Sequence, residues 1–372
     1  MPRLSAHYHL AVSAADVDAR AAALALEQSI EMPLAAVTDA RVRRDIVATV
    51  EHIRELAAGR FEVVLGIARA TVGNDIGQLM NMLFGNCSLQ NDVELVDVEL
   101  PDNFVAAFGG PRFGLAGLRQ RLGADHRALT MTALKPQGLA PAALAALAGT
   151  FADAGIDIIK DDHGIADQDY APFAARVVAC QRAVMQANAR TGGRSVYAPS
   201  LSGGPRQLAR QLDVVRDAGV GMVLACPLLL GLPVFHELVR YDLTCPVLAH
   251  PALGGAARIH APFLFGRVFR MIGADATIFP NYGGRFGYDR ATCTALATAA
   301  RAPWAGLRAC APVPAGGMSV DRVADMLTAY GADVILLIGG ALLAAGSALA
   351  ARSREFVACV HRASRQFEVD SA

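Results

Sequence analysis

The stretch Gly155-Ile-Asp-Ile-Ile-Lys-Asp-Asp162 is a short, mostly apolar run that ends in charged residues. It lies between two stretches of helical composition, 141–154 and 167–189. A buried strand between two helices is the repeating unit of parallel α/β folds, and charged residues at its end mark the edge of the sheet. The rest of the chain can therefore be searched for further runs of this kind.

Similar runs recur at a regular interval along the chain. The eight runs are 129–136, 156–162, 195–200, 221–227, 246–251, 276–281, 309–317 and 334–340, and helical stretches such as 204–218, 319–330 and 347–366 lie between or after them. Eight β/α alternations predict a closed (β/α)8 TIM barrel. An open doubly wound sheet is the alternative, but no strand is followed by G-x-G-x-x-G. In a barrel, catalytic groups sit at the carboxyl ends of the strands.

The first part of the chain has a different pattern. Residues 7–12 and 61–68 are predicted to be strands, and residues 15–28 and 41–58 amphipathic helices. We therefore predict an α/β protein with a smaller α+β N-terminal domain over residues 1–125 and a catalytic barrel over residues 126–372.

Composition and charge bear on which classes of partner to expect. The formal net charge is zero and 53% of residues are hydrophobic, which disfavours nucleic acid or an anionic membrane as a partner. The first residues do not resemble a secretory signal, and the apolar stretch 334–345 is too short to span a bilayer. Seven cysteines without a C-x-x-C pair indicate reduced thiols, so we expect a cytoplasmic protein.

Lysine is rare in this chain, which has only Lys135 and Lys160 among 34 basic residues. Each follows a short apolar run, at the end of a predicted barrel strand. Arginine stays protonated at any workable pH, whereas a lysine amine can lose its proton or be covalently modified. Two lysines left over in a GC-biased sequence are one interpretation. The settings of both lysines favour the other, in which these two amines carry the chemistry.

Lys160, Asp162 and His163 are a candidate metal site at the end of the second barrel strand. Alternation along a strand points Lys160 and Asp162 to the same face, and buried charge is costly unless paired or bound to a metal. A buried Lys–Asp ion pair is one interpretation. The other is a divalent cation, for which Lys160 must be modified, because an ammonium group cannot be a ligand and a carbamate formed with CO2 can.

Lys135 and His250 end the first and fifth predicted barrel strands. Burial or neighbouring charge can lower the pKa of a lysine toward neutrality, which would make Lys135 a proton shuttle for enolisation. A Schiff-base role for Lys135 remains open. His250 is a catalytic candidate, with a purely structural histidine as the alternative.

Two glycine pairs follow the last two predicted strands. Gly316-Gly317 and Gly339-Gly340 are typical of the phosphate-binding loops after strands seven and eight of such barrels. Arg285, after strand six, lies in a glycine-containing loop that we interpret as a lid whose arginine reaches an anion. Plain turns would explain the same glycines.

Together these residues resemble the RuBisCO superfamily over nearly the whole chain, and more closely its non-carboxylating RuBisCO-like (form IV) branch. The motifs that carry the resemblance are Leu134-Lys-Pro136, Gly155–Asp162, Pro312-Val-Pro-Ala-Gly-Gly317 and Gly339-Gly340. The resemblance implies a carbamylated Lys160 and Asp162 as ligands of Mg2+, with Lys135 as a catalytic lysine. It also implies that Glu27 and Asn86 enter the active site of a neighbouring subunit, and hence a homodimer.

The departures from the family pattern argue against carboxylation. The third metal ligand, a glutamate in RuBisCO, is His163 here, which suits Mn2+ better than Mg2+. The further lysines of a carboxylase are missing, since Gln137 follows Pro136 and the lid holds Gly284-Arg285-Phe286. His250 is followed by Pro251 rather than the arginine that would grip a second phosphate, so a monophosphate is expected.

The residues that remain match the first half-reaction of the superfamily, in which a base removes a proton next to the carbonyl of a ketose phosphate and an enediolate forms. The resemblance implies a metal-dependent enolising isomerase of a ketose monophosphate, with 5-methylthioribulose 1-phosphate of methylthioadenosine salvage as the first choice. A decarboxylase of a 3-oxo sugar-acid phosphate, as in isoapionate-type catabolism, is the alternative. A non-catalytic sugar-phosphate binding protein is the third hypothesis.

Overall fold

The structure is a computed structural model that describes residues 2–124 and 126–370, with side chains up to residue 365. It divides into two compact units. The N-terminal unit comprises Met1–Phe108, Leu253–Leu264 and Trp304–Gly306, and the barrel unit comprises Gly109–Ala252, Phe265–Pro303 and Leu307–Ala372.

The N-terminal unit is built on a four-stranded antiparallel sheet of order β2-β3-β1-β4. Along β1, buried residues alternate with half-buried ones, so one face supplies core residues such as Leu4 and Tyr8. The elements of this unit are β1 (Arg3–Ala11), α1 (Val17–Glu27), α2 (Ala40–Asp45), β2 (Thr49–Ala57), β3 (Arg60–Ala68), α3 (Ile76–Phe84), β4 (Val93–Glu99) and α4 (Asp102–Ala107).

The predicted helix over residues 41–58 is wrong beyond its first turns. Only α2 is helical there, and β2 follows as an edge strand that pairs with β3 across a turn in which Gly59 has φ +73°. Every β2 residue except Ile53 is exposed. The segment therefore has no alternation of apolar and polar residues of the kind that marks a strand with one buried face. Strand β4 was also missed.

The barrel unit contains the eight predicted parallel strands, the third in two pieces. Two sheets, β13-β5-β6-β7 and β12-β11-β10-β9-β8, meet where β7 runs into β8 and where β12 packs beside β13. The strands are β5 (Leu129–Leu134), β6 (Ile158–Asp161), β7 (Val196–Ala198), β8 (Ser200–Leu201), β9 (Val223–Ala225), β10 (Val247–Ala249), β11 (Ala276–Pro280), β12 (Ala311–Ala315) and β13 (Ile335–Leu337).

Helices surround these strands, and the predicted helical stretches are confirmed in outline. The helices are α5 (Gly114–Leu122), α6 (Pro141–Asp153), α7 (Phe173–Thr191), α8 (Pro205–Asp217), α9 (Pro227–Leu230), α10 (Leu232–Glu237), α11 (Phe269–Met271), α12 (Arg290–Arg301), α13 (Val323–Tyr330), α14 (Gly340–Leu343) and α15 (Leu349–Asp370). Short 3-10 turns lie at Leu34–Ala36, Arg69–Thr71, Asn86–Leu89, Val320–Arg322 and Gly346–Ala348, and π turns at Leu238–Asp242 and Pro262–Val268.

The boundary between the units differs from the predicted one at 125–126. It falls between Phe108 and Gly109 because Leu115, Leu118 and Leu122 of α5 pack in the same hydrophobic cluster as the barrel strands.

Among the described residues no helix combines the length and apolar character needed to cross a bilayer. All seven cysteines are among the described residues, and each is a free thiol.

Candidate active site

Lys160 lies on β6 with its side chain inside the barrel unit, only 3% exposed. Its amine donates a hydrogen bond to the backbone oxygen of Asp161 at 2.8 Å. Burial lowers the pKa of Lys160 to about 8, against the opposing charge of Asp162 and with a contribution from the positive charge of Lys135. A sizeable fraction of this amine is therefore neutral near pH 8, which is the form that reacts with CO2.

Asp162 follows β6 and joins the two lysine-bearing strands. Strands β5 and β6 pair in a register that places Leu134 opposite Asp161, so Lys135 and Asp162 leave the sheet side by side. Lys135 Nζ donates to Asp162 Oδ1 at 2.7 Å, and His163 Nδ1 lies 3.4 Å from the same oxygen. Although burial raises the pKa of Asp162, hydrogen bonds from His163 and Lys135 and the charge of Lys160 hold it well below its ordinary value.

His163 and His250 stack on each other at the same end of the barrel strands. Their ring centroids are 4.1 Å apart with planes only 11° from parallel. The backbone N–H of Ala252 donates to His250 Nδ1 at 3.1 Å, so the ring proton is placed on Nε2. Burial, with the charges of Lys160 and His163, lowers the pKa of His250 to about 2. His250 is therefore a neutral hydrogen-bond donor at working pH.

The glycine pairs follow β12 and β13, which are neighbours in the barrel. Gly316 and Gly317 have φ of +91° and +84°, which L side chains rarely adopt. The backbone N–H of Arg285 donates to Gly316 O at 3.3 Å, so the predicted lid is tied to this loop. Arg285 is exposed and its guanidinium lies over the Phe286 ring, 5.0 Å from the centroid.

Glu27 and Asn86 are brought together within the N-terminal unit. Asn86 Nδ2 donates to Glu27 Oε1 at 3.1 Å and to Glu31 Oε1 at 2.9 Å. Glu31, which sequence reasoning missed, has a positive φ of 51°. The three side chains form one polar group within this unit.

A buried network around Asp161 was also missed. Asp161 Oδ2 accepts from Arg176 Nε at 3.0 Å and from the backbone N–H of Ser200 at 3.0 Å, while Oδ1 accepts from Tyr197 OH at 2.7 Å. Both Asp161 and Arg176 have side chains that are 0% exposed. The network ties α7 and the third barrel strand to the residue between Lys160 and Asp162. The signal in the sequence was the middle residue of Lys-Asp-Asp, whose side chain must point away from the barrel interior.

The donor set can be tested against a divalent cation. Asp162 Oδ1 and His163 Nδ1 are 3.4 Å apart, close to the spacing of two ligands on one ion with bonds of about 2.0–2.2 Å. The Lys160 ammonium cannot complete the set, but its carbamate can. The residues therefore fit a cation when Lys160 is modified.

Comparisons with a family model, with protein sequences and with solved structures all point to one family. Residues 114–354 match the family model described as the ribulose bisphosphate carboxylase large chain, catalytic domain. The chain is 53% identical to ribulose bisphosphate carboxylase-like protein 1 of Rhodopseudomonas palustris over 96% of this chain and 97% of that protein. It is also 53% identical to the 5-methylthioribulose-1-phosphate isomerase of Rhodospirillum rubrum, over 96% of each chain. The crystal structure of a Rubisco-like protein from Rhodopseudomonas palustris superimposes with a TM-score of 0.92 at 52% identity, covering 97% of this chain and 98% of that one.

Proposed function

The chain belongs to the family of the ribulose bisphosphate carboxylase large chain, as one of its Rubisco-like proteins, and from this premise we propose that it isomerises 5-methylthioribulose 1-phosphate. The relative at 53% identity that bears this activity in its name supports the choice of substrate. The observation that carries the proposal is the buried Lys160 amine beside Asp162 and His163, with Lys135 on the same carboxylate oxygen.

Carbamylated Lys160, Asp162 and His163 would hold Mg2+ or Mn2+, and the imidazole favours Mn2+. When bound, such an ion supplies positive charge that stabilises the enediolate of the sugar. Carbamylation itself joins the neutral Lys160 amine to the carbon of CO2 and releases one proton. The lowered pKa of Lys160 favours this step, because the neutral amine is accessible near pH 8.

The chain's own residues then have separate tasks. The backbone of Gly316-Gly317 and Gly339-Gly340 would bind the phosphate, with Arg285 available from the lid. Lys135 would take the proton from the carbon next to the carbonyl, leaving its electron pair in the enediolate. Returning that proton to the former carbonyl carbon, with transfer of the hydroxyl proton from one enediolate oxygen to the other, moves the carbonyl to the adjacent carbon. Neutral His250, with its proton on Nε2, would donate a hydrogen bond to a substrate oxygen.

The contact between Lys135 and Asp162 links the proposed base to the proposed metal site. Lys135 Nζ donates to Asp162 Oδ1 at 2.7 Å. Engaging Asp162 in a metal site would compete with this contact. We infer that assembly of the site releases the Lys135 side chain toward the substrate.

The function is tested by incubating the purified protein with Mg2+ or Mn2+, CO2 and 5-methylthioribulose 1-phosphate in D2O. We expect NMR to show a shifted carbonyl and deuterium on the adjacent carbon. A second incubation contains a 3-oxo sugar-acid phosphate. Release of CO2 there, without change in the methylthio ketose, would establish the decarboxylase instead. Binding of either compound without turnover would establish the binding protein.

Carbamylation of Lys160 is expected to depend on pH in a defined direction. Because the pKa is lowered to about 8, the neutral amine rises as pH increases through that value. At constant dissolved 13CO2, the 13C NMR carbamate signal should therefore grow between about pH 7 and pH 9. Lys160→Met should lack this signal and Lys135→Met should retain it. A signal that persists in Lys160→Met and vanishes in Lys135→Met would contradict the assignment.

A shared active site predicts complementation between inactive variants. Glu27→Gln and Lys160→Met should each be inactive, but a mixed homodimer would contain one intact site. Statistical mixing of subunits should restore roughly a quarter of the wild-type sites. The measurement is activity after co-refolding or co-expression of differently tagged chains. Mixed dimers that co-purify without activity would rule out sharing.

A further inference from the structure

We propose that His9, Glu94 and His260 form a binding site for a divalent transition-metal ion such as Zn2+. The Arg60 guanidinium competes with the ion for these side chains. All three candidate ligands belong to the N-terminal unit. Within the described residues they are the only group of three or more His, Cys, Asp or Glu side chains whose ligand atoms all lie within 4.8 Å of one another.

The backbone holds these three residues in fixed positions. His9 on β1 and Glu94 on β4 are direct partners in the antiparallel ladder. On the other side of β4, Ile259 bridges to Leu95, and the His260 N–H donates to Leu95 O at 2.9 Å. His9 and Glu94 therefore lie on regular strands, which hold a site more firmly than free loops do, and backbone pairing ties His260 to β4.

The distances are close to those of a metal centre. Glu94 Oε2 lies 3.8 Å from His9 Nδ1 and 3.6 Å from His260 Nε2. Zinc–ligand bonds of about 2.0–2.1 Å in a tetrahedron place neighbouring ligand atoms about 3.4 Å apart. Small side-chain rotations therefore bring these atoms onto one ion. A fourth position would remain open to water.

The ligand types select the class of ion. Two imidazoles and one carboxylate suit Zn2+, Co2+ or Ni2+, whereas Mg2+ prefers oxygen ligands. Metal binding also requires the neutral imidazole. Burial, together with the neighbouring His260 and Arg60, lowers the pKa of His9, which favours that form.

Arg60 shows that this group already attracts a cation. Its NH2 nitrogen lies 3.0 Å from His9 Nδ1 and 3.1 Å from Glu94 Oε2, so it contacts two of the three candidate ligands. The Arg60 side chain is 51% exposed and can turn away into solvent. A metal ion must displace it, and removal of the guanidinium should therefore tighten binding.

The test is Zn2+ titration of the full-length protein by calorimetry, with Mg2+ and CO2 present throughout. Loss of an outer partner of a metal ligand costs about 10–100-fold in affinity, so loss of a ligand should cost at least about 100-fold. We expect His9→Ala and His260→Ala each to lose one equivalent of Zn2+ per chain. His52→Ala, an exposed histidine on β2 of the same sheet, is the matched control and should bind as the wild type does.

The Arg60→Ala variant is a test that misfolding cannot mimic, because the proposal predicts that this variant binds Zn2+ more tightly than the wild type. Removing one unit of like charge near the ion should tighten Zn2+ binding about five- to tenfold. Turnover of the ketose phosphate should be unchanged in all four variants. Identical Zn2+ isotherms for the wild type, His9→Ala and His260→Ala would overturn the site, and weaker binding by Arg60→Ala would overturn the competition.

Discussion

Lys160→Met is expected to lower kcat for the ketose phosphate at least about 1,000-fold while leaving the protein folded. A methionine side chain cannot form a carbamate, so the proposed metal site would lose one of its three protein ligands and with it the positive charge of the bound ion. Removing that positive charge from beside the enediolate costs several kcal/mol of transition-state stabilisation, and a factor of 1,000 corresponds to about 4 kcal/mol.

The same substitution should not destabilise the fold, which separates this prediction from a general loss of structure. Burial lowers the pKa of Lys160 to about 8, so the folded state disfavours the ammonium form. That penalty is present below about pH 8 and disappears above the ordinary pKa of lysine, and methionine does not carry it. The free energy of unfolding at pH 7 is therefore expected to be unchanged or higher in Lys160→Met.

The measurement is proton exchange from substrate into D2O, with denaturant unfolding of the same preparations. Lys160→Arg serves as a second variant, because it keeps the charge but cannot be carbamylated. Lys135→Met should also lose exchange yet keep Mn2+ binding, which electron paramagnetic resonance detects. Exchange at the wild-type rate in Lys160→Met and Lys160→Arg would remove Lys160 from the mechanism.

The barrel could be predicted because its strands are buried on both faces. Continuous apolar runs such as 129–136 and 156–162 carry a signal that survives without tertiary information. The edge strand β2 has the opposite character, since almost all of its residues are exposed. Its place in the sheet depends on pairing with β3, which no local pattern encodes.

The candidate site shows the same division. Lys160, Asp162 and His163 are adjacent in sequence, so strand geometry alone places them together. The stacking of His163 on His250, and the pairing of Asn86 with Glu31, join residues far apart in the chain. Such contacts depend on the register of distant strands and on loop conformation, and the sequence offers only the residue types.

Arg176→Met is expected to lower the free energy of unfolding by about 3–5 kcal/mol, the largest effect on stability that we predict. Arg176 and Asp161 form an ion pair in which both side chains are 0% exposed. Removing one partner leaves a charge that the interior cannot solvate, which costs far more than the pair contributes. Tyr197 and the Ser200 N–H still donate to Asp161, but both are neutral.

The matched control lies on the same helix, where Arg190 pairs with Asp153 at 2.9 Å with side chains 57% and 40% exposed. Water screens that pair, so Arg190→Met should cost less than about 1 kcal/mol. The double variant Asp161→Leu/Arg176→Met removes both buried charges and should be more stable than Arg176→Met. Urea unfolding at one protein concentration measures all three. Equal losses in Arg176→Met and Arg190→Met would mean that the buried pair does not anchor the strand that carries Lys160.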